Sequence, residues 1–175
     1  FLIGDALDKN ADVVITAGAV QSNHCRQTAA AATKFGLKCI IVARPSWSKD
    51  YNGNIFLDEL LGAELVLIDE DGEALDKGGT LSMDDTINNI MHDLKDKGKN
   101  PYFIPVGGSN HIGSLGYISM TMEMISQAND MGIEIGSMVA ASGSGGTQTG
   151  MILGADVEKS GIDAVGMGIS SDASV

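Results

Sequence analysis

The sequence is poor in basic residues, cysteine, proline and aromatic residues, and it lacks long apolar runs. Its 11 lysines and arginines stand against 23 acidic residues, and the net charge of −12 leaves no basic track for the phosphates of a nucleic acid. No apolar run approaches the roughly 20 residues that a membrane-spanning helix needs. The two cysteines, Cys25 and Cys39, match neither a disulfide framework nor a metal-binding spacing. We therefore expect no nucleic-acid or membrane partner and a reducing compartment, the cytoplasm.

The residues that are abundant indicate a globular protein with many tight turns. Of the 175 residues, 43% are apolar and 23 are glycine, which is enough for a core and for close approaches of the backbone. The acidic stretch at 69–73 follows an apolar run but does not have the ligand spacing of a calcium-binding loop. We therefore predict a solvated turn there and no metal site.

Short runs rich in Val and Ile alternate with helical patterns along the chain. The predicted strands are residues 13–17, 38–42, 64–68, 102–105, 137–141 and 163–169. The predicted helices lie near residues 23–35, 53–61, 81–97, 113–130 and 148–159. Because the strand runs are continuously apolar, they are expected to be buried on both faces. The order predicts an α/β fold, with a mostly parallel sheet between helices in three αβα layers.

A break in the pattern near residues 104–111 predicts a domain boundary. Pro105 is followed by Gly107 and Gly108, a combination that interrupts regular structure. We predict a small α/β domain over 1–108 and part of a larger domain over 109–175. A plain glycine turn before the next helix is the alternative.

The first candidate site is a polar turn between an apolar run and an alanine-rich helix. It consists of Gln21, Ser22, Asn23 and His24. The first turn of a helix presents unpaired N–H groups and a positive dipole end, so this turn can bind a carboxylate or a phosphate. An ordinary helix cap is the alternative, since Ser and Asn are preferred caps.

The second candidate site is a glycine-rich loop in the same strand–turn–helix context. It consists of Ser142, Gly143, Ser144, Gly145, Gly146 and Thr147. Its glycines allow successive N–H groups to converge on one anion, and its hydroxyl groups add donors. The sequence is neither a Walker motif nor a dinucleotide fingerprint, so a small phosphate ester is expected, with a flexible linker as the alternative. One site for a phosphate and one for a carboxylate suit an enzyme that binds an amino acid on pyridoxal phosphate.

Four blocks of the sequence resemble the D-cysteine desulfhydrase and 1-aminocyclopropane-1-carboxylate (ACC) deaminase family. They are the segment 17–30 around Gln-Ser-Asn-His, the Gly-Asn to Leu-Leu-Gly-Ala segment at 52–63, the Pro-Val-Gly-Gly-Ser-Asn block at 105–117, and the loop 142–147. The resemblance covers roughly residues 10–155. It implies the tryptophan synthase β-like fold, fold type II of the pyridoxal-phosphate enzymes, and a homodimer.

The resemblance also implies roles for individual residues. Ser22 is expected to contact the substrate carboxylate and to assist proton transfer, and Gln21 to take part in substrate binding. Asn23 is expected to lie against the cofactor ring and to help hold the carboxylate. His24 stands where desulfhydrases resemble this chain and where ACC deaminases usually carry Gln. The loop 142–147 is expected to bind the cofactor phosphate.

The family's cofactor-binding lysine is expected just before the residue equivalent to Phe1, so the chain is expected to be an inactive fragment of a longer enzyme. For the parent enzyme we predict a pyridoxal-phosphate-dependent lyase that converts D-cysteine to pyruvate, hydrogen sulfide and ammonia. The alternatives are an ACC deaminase, a non-catalytic α/β module that binds an anion, and an inactive homologue retained for assembly.

Overall fold

The computed structural model describes residues 1–44, 52–68 and 82–169. The chain divides into two compact units. One consists of Leu2–Val106, and the other consists of Phe1 together with the residues from Gly107 onwards. The first unit ends at Val106. The boundary predicted from the glycine pair lies after residue 108.

The first unit is built on one parallel sheet. Its elements in chain order are α1 (Leu2–Asp8), β1 (Val13–Ala19), α2 (Asn23–Lys34), β2 (Lys38–Arg44), α3 (Gly53–Leu60), β3 (Glu64–Leu67), α4 (Met83–Asp96) and β4 (Pro101–Phe103). The strands lie in the order β3-β2-β1-β4, all in parallel. The register places Ile15 beside Ile40 on one side and Phe103 on the other. β1 is therefore an interior strand with a neighbour on each edge.

Both faces of this sheet are covered, as its continuously apolar strands predict. On one face Val14 and Ile41 pack with side chains of α1, α2 and α3. On the other face Ile15 and Val42 pack with Ile87 and its neighbours on α4. Burial on both faces makes three αβα layers, and the predicted α/β fold is confirmed.

In its described residues, the second unit contains a two-stranded parallel sheet and two α-helices. Its elements are α5 (His111–Met131), β5 (Ser137–Ser142), α6 (Gly146–Val157) and β6 (Asp163–Gly168). Met138, Met151 and Ala155 form its buried core. This core is much smaller than those of the first unit, and large apolar side chains such as Val139 and Met167 stay exposed, at 65% and 58%.

The predicted strands and helices match the observed ones, with shifts of a few residues at their ends. α1 was not expected from the sequence pattern, and residue 81 of the predicted 81–97 helix lies outside the described residues. α5 begins at His111 rather than near residue 113, because Asn110 caps it by accepting the N–H of Gly113. Among the described helices, none is both long enough and apolar enough to span a membrane.

Candidate functional site

The turn between β1 and α2 carries the first predicted site, and Ser22 is the N-cap of α2. Ser22 Oγ accepts a hydrogen bond from the N–H of Cys25 at 3.3 Å. A cap uses only the acceptor side of a hydroxyl group, so its proton is still available to a ligand oxygen. The N-cap alternative and the anion-site prediction are therefore compatible at this residue.

Gly18 keeps space open beside Ser22. A Cβ at Gly18 would lie 3.1 Å from Ser22 Oγ and 2.8 Å from the Sγ of Cys25. Such distances are too short for ordinary contacts, so any side chain here would displace the serine or the start of the helix. Gly18, near the end of β1, is needed for this close approach.

His24 lies within hydrogen-bond distance of Thr16 in the middle of β1, and through Thr16 it is connected to Ile104, the residue after β4. Its Nε2 lies 2.7 Å from Thr16 Oγ1, and Thr16 Oγ1 donates to the carbonyl oxygen of Ile104 at 2.8 Å. Thr16 and Ile104 are buried, whereas His24 is half-buried. Desolvation of this ring lowers the pKa of His24 below its usual value of 6.5, which favours the neutral imidazole at pH 7.

Gln21 joins this turn to the start of α3. Its Nε2 donates to the carbonyl of Asn52 at 3.0 Å, and its Oε1 accepts the backbone N–H of Asn54 at 2.9 Å. A Cβ at Gly53 would lie 2.5 Å from Gln21 Oε1, and Gly53 has a φ of +59°. The Asn-Gly-Asn segment of the second sequence block therefore serves as a seat for the Gln21 side chain. Binding of the substrate by Gln21 stays a prediction.

Asn54 also orients Asn23. The Asn54 Nδ2 group donates to the carbonyl oxygen of Gln21 at 2.8 Å and to Oδ1 of Asn23 at 3.0 Å. Because a carbonyl can only accept, the atom of Asn54 that faces it must be the amide nitrogen, and the atom of Asn23 facing that nitrogen must be its oxygen. The NH₂ group of Asn23 is then left as a donor for a ligand.

The second predicted site lies in the other unit, where β5 leads through a glycine turn into α6. Gly145 is the N-cap of α6 with a φ of +81°, and it provides no side-chain cap. The N–H groups of the first helical turn, including that of Thr147, therefore have no side-chain partner at the cap, and they can bind an anion. Ser142 Oγ donates to Gln148 Oε1 at 3.0 Å, while Gly143 lies in the turn itself.

Residues of the block at 105–117 form hydrogen bonds with this loop. Ser109 Oγ donates to the carbonyl of Ser144 at 3.2 Å, and Ser114 Oγ donates to the carbonyl of Gly146 at 3.4 Å. A Cβ at Gly146 would lie 2.6 Å from Ser109 Oγ. Two of the four sequence blocks thus form one structural feature, in which hydroxyl groups of the third block bind carbonyl oxygens of the loop.

A buried acidic group lies near the thiols of the first unit. Burial raises the pKa of Asp58 to about 6, and the positive charge of Arg26 opposes this increase. Burial and the negative charge of Asp58 raise the pKa of Cys39 to about 12. Burial also raises the pKa of Cys25. Both thiols are free, buried and protonated at neutral pH, so neither is a nucleophile.

The structure brings Gln21, Ser22, Asn23 and His24 together on one turn and residues 142–147 on another. Sequence reasoning missed Thr16, Asn54 and Ser109 as partners of these turns. Thr16 gave a signal, as a hydroxyl in a buried apolar strand, and Asn54 and Ser109 lay in the family blocks without assigned roles. The acidic stretch 69–73 lies outside the described residues, and elsewhere in the described chain no three His, Cys, Asp or Glu side chains gather to hold a metal.

Comparison with known families shows to which family this chain belongs. A model of the pyridoxal-phosphate-dependent enzymes matches residues 1–172. The chain belongs to this family. The predicted cofactor, pyridoxal phosphate, is thereby confirmed for the family.

Among individual family members, the chain is similar to proteins of both predicted branches. It is 38% identical over 171 residues to a Pyrococcus abyssi protein with the provisional name 1-aminocyclopropane-1-carboxylate deaminase, covering 98% of this chain and 49% of that protein. It is 39% identical over 178 residues to the D-cysteine desulfhydrase of Klebsiella pneumoniae, covering 97% and 50%. The crystal structure of an ACC deaminase homologue superposes with a TM-score of 0.82 and 39% identity, covering 96% of this chain and 48% of that one.

These similarities confirm the predicted resemblance and fold type II. The chain spans about half the length of the curated relatives it matches. The residues present fit the phosphate group of the cofactor, because the cap position of α6 is a glycine in the left-handed region that leaves the first-turn N–H groups free of side-chain caps.

Proposed function

We propose that this chain is part of a pyridoxal-phosphate-dependent lyase that degrades D-cysteine to pyruvate, hydrogen sulfide and ammonia. The observation that carries the proposal is the Gln21–His24 turn, which holds a hydroxyl proton, an amide NH₂ and the start of a helix on one short segment. Within the family, such a turn suits the carboxylate of an amino acid. When bound, pyridoxal phosphate supplies the electron sink for the bond cleavages at the amino acid.

The residues of this chain would bind and orient the reactants. Ser22 donates its hydroxyl proton to the substrate carboxylate while its lone pair keeps the start of α2 capped. Asn23, oriented by Asn54, donates its amide N–H to the carboxylate or to the oxygen on the cofactor ring. The first-turn N–H groups of α6 would hold the cofactor phosphate. Binding of the carboxylate by Ser22 and Asn23 would orient the amino acid for the cleavage of one of its bonds.

The choice of D-cysteine over ACC is favoured by His24. The relatives named for the two activities are almost equally similar to this chain, so overall identity does not separate them. An imidazole ring in place of the glutamine side chain typical of ACC deaminases supports the desulfhydrase. ACC deaminase, with 2-oxobutanoate and ammonia as products, is the second candidate, and a non-catalytic anion-binding module is the third.

The cofactor lysine is proposed to belong to the part of the whole protein outside these 175 residues, since the chain covers about half of each relative. The chain alone is then inactive. We also propose that the 1–108 part is the small domain with the substrate turn, that 109–175 belongs to the large cofactor-binding domain, and that the whole protein is a cytoplasmic homodimer. Two free, buried cysteines are compatible with a reducing compartment.

The test uses the whole protein that contains this chain, loaded with pyridoxal phosphate. It is incubated separately with D-cysteine, L-cysteine and ACC, and sulfide, pyruvate and 2-oxobutanoate are measured. Sulfide and pyruvate from D-cysteine, at a rate well above that from L-cysteine, support the proposal. Release of 2-oxobutanoate alone supports the deaminase, and turnover of none of the three with bound cofactor contradicts both lyase assignments.

Replacement of Ser22 tests its role in turnover. Ser22→Ala should lower kcat for D-cysteine by tenfold or more, because the carboxylate loses its hydroxyl donor, while the absorbance of the bound cofactor persists. Loss of the cap also costs about 1 kcal/mol of stability. Ser82→Ala is the matched control, since Ser82 caps α4 in the same way by accepting the N–H of Asp85. Equal turnover of the Ser22 variant and the control would remove Ser22 from the mechanism.

A further inference from the structure

The hydrogen bonds around His24 determine which nitrogen of its ring carries the proton. Thr16 Oγ1 has one proton and lies within hydrogen-bond distance of two groups, the carbonyl oxygen of Ile104 at 2.8 Å and His24 Nε2 at 2.7 Å. A carbonyl oxygen can only accept, so the hydroxyl proton is directed to Ile104. Nε2 must then be the donor in its contact with Thr16.

The carbonyl oxygen of Ile104, which accepts the Thr16 proton, is held in place by the sheet. The N–H of Ile104 donates to the carbonyl of Ile15 at 2.8 Å, which continues the pairing of β4 with β1. Ile104 is 2% exposed and Thr16 is fully buried. Because water does not reach the Thr16 hydroxyl, no solvent molecule can replace Ile104 as its acceptor and reverse the direction of the bonds.

We infer that Thr16 is a positioning residue that holds His24 as the Nε2–H tautomer and leaves Nδ1 as a hydrogen-bond acceptor at the start of α2. A neutral imidazole carries one proton, so a protonated Nε2 requires an unprotonated Nδ1. Among the described residues Nδ1 makes no hydrogen bond. Burial of the ring, which lowers the pKa of His24, supports the neutral state on which the inference depends.

The tautomer affects what the turn can bind, and this step rests on the proposed function. A carboxylate is bound by the donors of the turn, which are the Ser22 hydroxyl, the Asn23 amide and the helix N–H groups. The lone pair of Nδ1 repels a second carboxylate and accepts from a donor such as an ammonium or thiol group. Of the small amino acids, the site is therefore expected to favour one with a donor on its side chain, as in cysteine, over an acidic one.

The test is a nitrogen NMR measurement on the ¹⁵N-labelled 175-residue chain without cofactor, above pH 7. Long-range proton–nitrogen spectra distinguish a protonated imidazole nitrogen from an unprotonated one, and a His24→Gln variant assigns the signals. We expect Nε2 of His24 to be protonated, with an N–H signal that persists against exchange with water, and Nδ1 to be unprotonated. His92 is an internal control, since its side chain is 76% exposed and its Nδ1 faces Asp96 at 3.1 Å.

Two variants distinguish the effect of the Thr16 hydroxyl group on the His24 tautomer from a general effect on the fold. Thr16→Val removes the hydroxyl with little change in shape and should abolish the protected Nε2–H signal, whereas Thr16→Ser should retain it. If Thr16→Val does not fold, the spectrum of the unchanged chain still decides. A protonated Nδ1 in the unchanged chain, or the same His24 spectrum in the Val variant, would overturn the inference. Because the measurement does not use turnover, its outcome is independent of whether the whole protein acts on D-cysteine.

Discussion

At the scale of single residues, Asp58 is unusual because its carboxyl group is buried in the first unit. Its side chain is 2% exposed, and Oδ1 makes no hydrogen bond among the described residues. Burial disfavours the charged form, and the pKa rises from 3.8 to about 6. The folded chain therefore binds this proton more tightly than the unfolded chain does.

This shift predicts the direction in which stability changes with pH. Since the folded state holds the proton up to a higher pH, stability associated with Asp58 is complete below pH 3.8 and falls as the pH rises through about 6. The full loss is about 3 kcal/mol, and roughly half of it falls between pH 5 and pH 7.5. Asp58→Asn should remove this decrease. The free energy of unfolding of the variant, relative to that of the unchanged chain, should therefore increase as the pH rises.

Urea unfolding at several pH values measures this difference. Glu59→Gln is the control, because Glu59 is the next residue of α3 and is exposed. The difference between the Glu59 variant and the unchanged chain should vary little over the same range. A constant difference for Asp58→Asn as well would mean that the Asp58 carboxyl group is solvated in solution.

At the scale of secondary-structure elements, a row of glycines brings α6 close to α5. Gly150 and Gly154 are four residues apart on one face of α6. A Cβ at Gly150 would lie 2.4 Å from Tyr117 Cβ, and one at Gly154 would lie 2.6 Å from Thr121 Cβ. The helices can pack at this distance only while those positions carry no side chain.

Gly150→Ala should therefore lower the free energy of unfolding by about 1–3 kcal/mol, the usual cost of overpacking, despite the better helix propensity of alanine. Gly116→Ala is the matched control on α5. Among the described residues, its Cβ would meet the Phe1 ring at 3.6 Å, an ordinary contact, so this variant should be neutral or up to about 1 kcal/mol more stable. Thermal unfolding of both variants compares them, and equal midpoints would show that the two helices can separate without cost.

The positions of the elements were predictable, because continuous apolar runs mark strands that are buried on both faces. Gly36 and Gly62, with φ of +73° and +81°, lie just after the ends of α2 and α3, where the left-handed conformation favours glycine. α1 was missed because seven residues give too short a pattern. Strand order and the tight glycine contacts depend on which distant segments meet, and local periodicity does not contain that information.

The candidate site was predictable only in part, since its two turns could be found from the sequence and the contacts between its side chains could not. The two turns could be found because a strand, a polar or glycine-rich turn and a helix follow one another in sequence. The pairing of each turn with its supporting residues could not be found, since Thr16 meets His24 from within β1 and Asn54 meets Asn23 from another helix. Which of these side chains face a ligand depends on donors and acceptors already used within the fold.

At the scale of the whole molecule, the two units differ in how much apolar surface they bury. In the described part of Leu2–Val106, buried apolar side chains form two core clusters, one on each face of the sheet. From Gly107 to residue 169, which is as far as the structure describes, there is one small cluster around Met138, Met151 and Ala155. Hydrophobic burial is the main favourable contribution to folding, so the second unit should be the less stable in the 175-residue chain.

We therefore predict that the unit from Gly107 onwards opens at lower urea concentration than Leu2–Val106. Native-state hydrogen exchange should show the amides of α6 exchanging before those of β1 and β2, because local openings follow local stability. Cys25 and Cys39 provide a second measurement, since both are buried in the first unit and react with an alkylating reagent only when it opens. Their alkylation should follow the later transition. A single transition in which α6, β1 and the two thiols respond together would instead mean that the chain unfolds as one cooperative body.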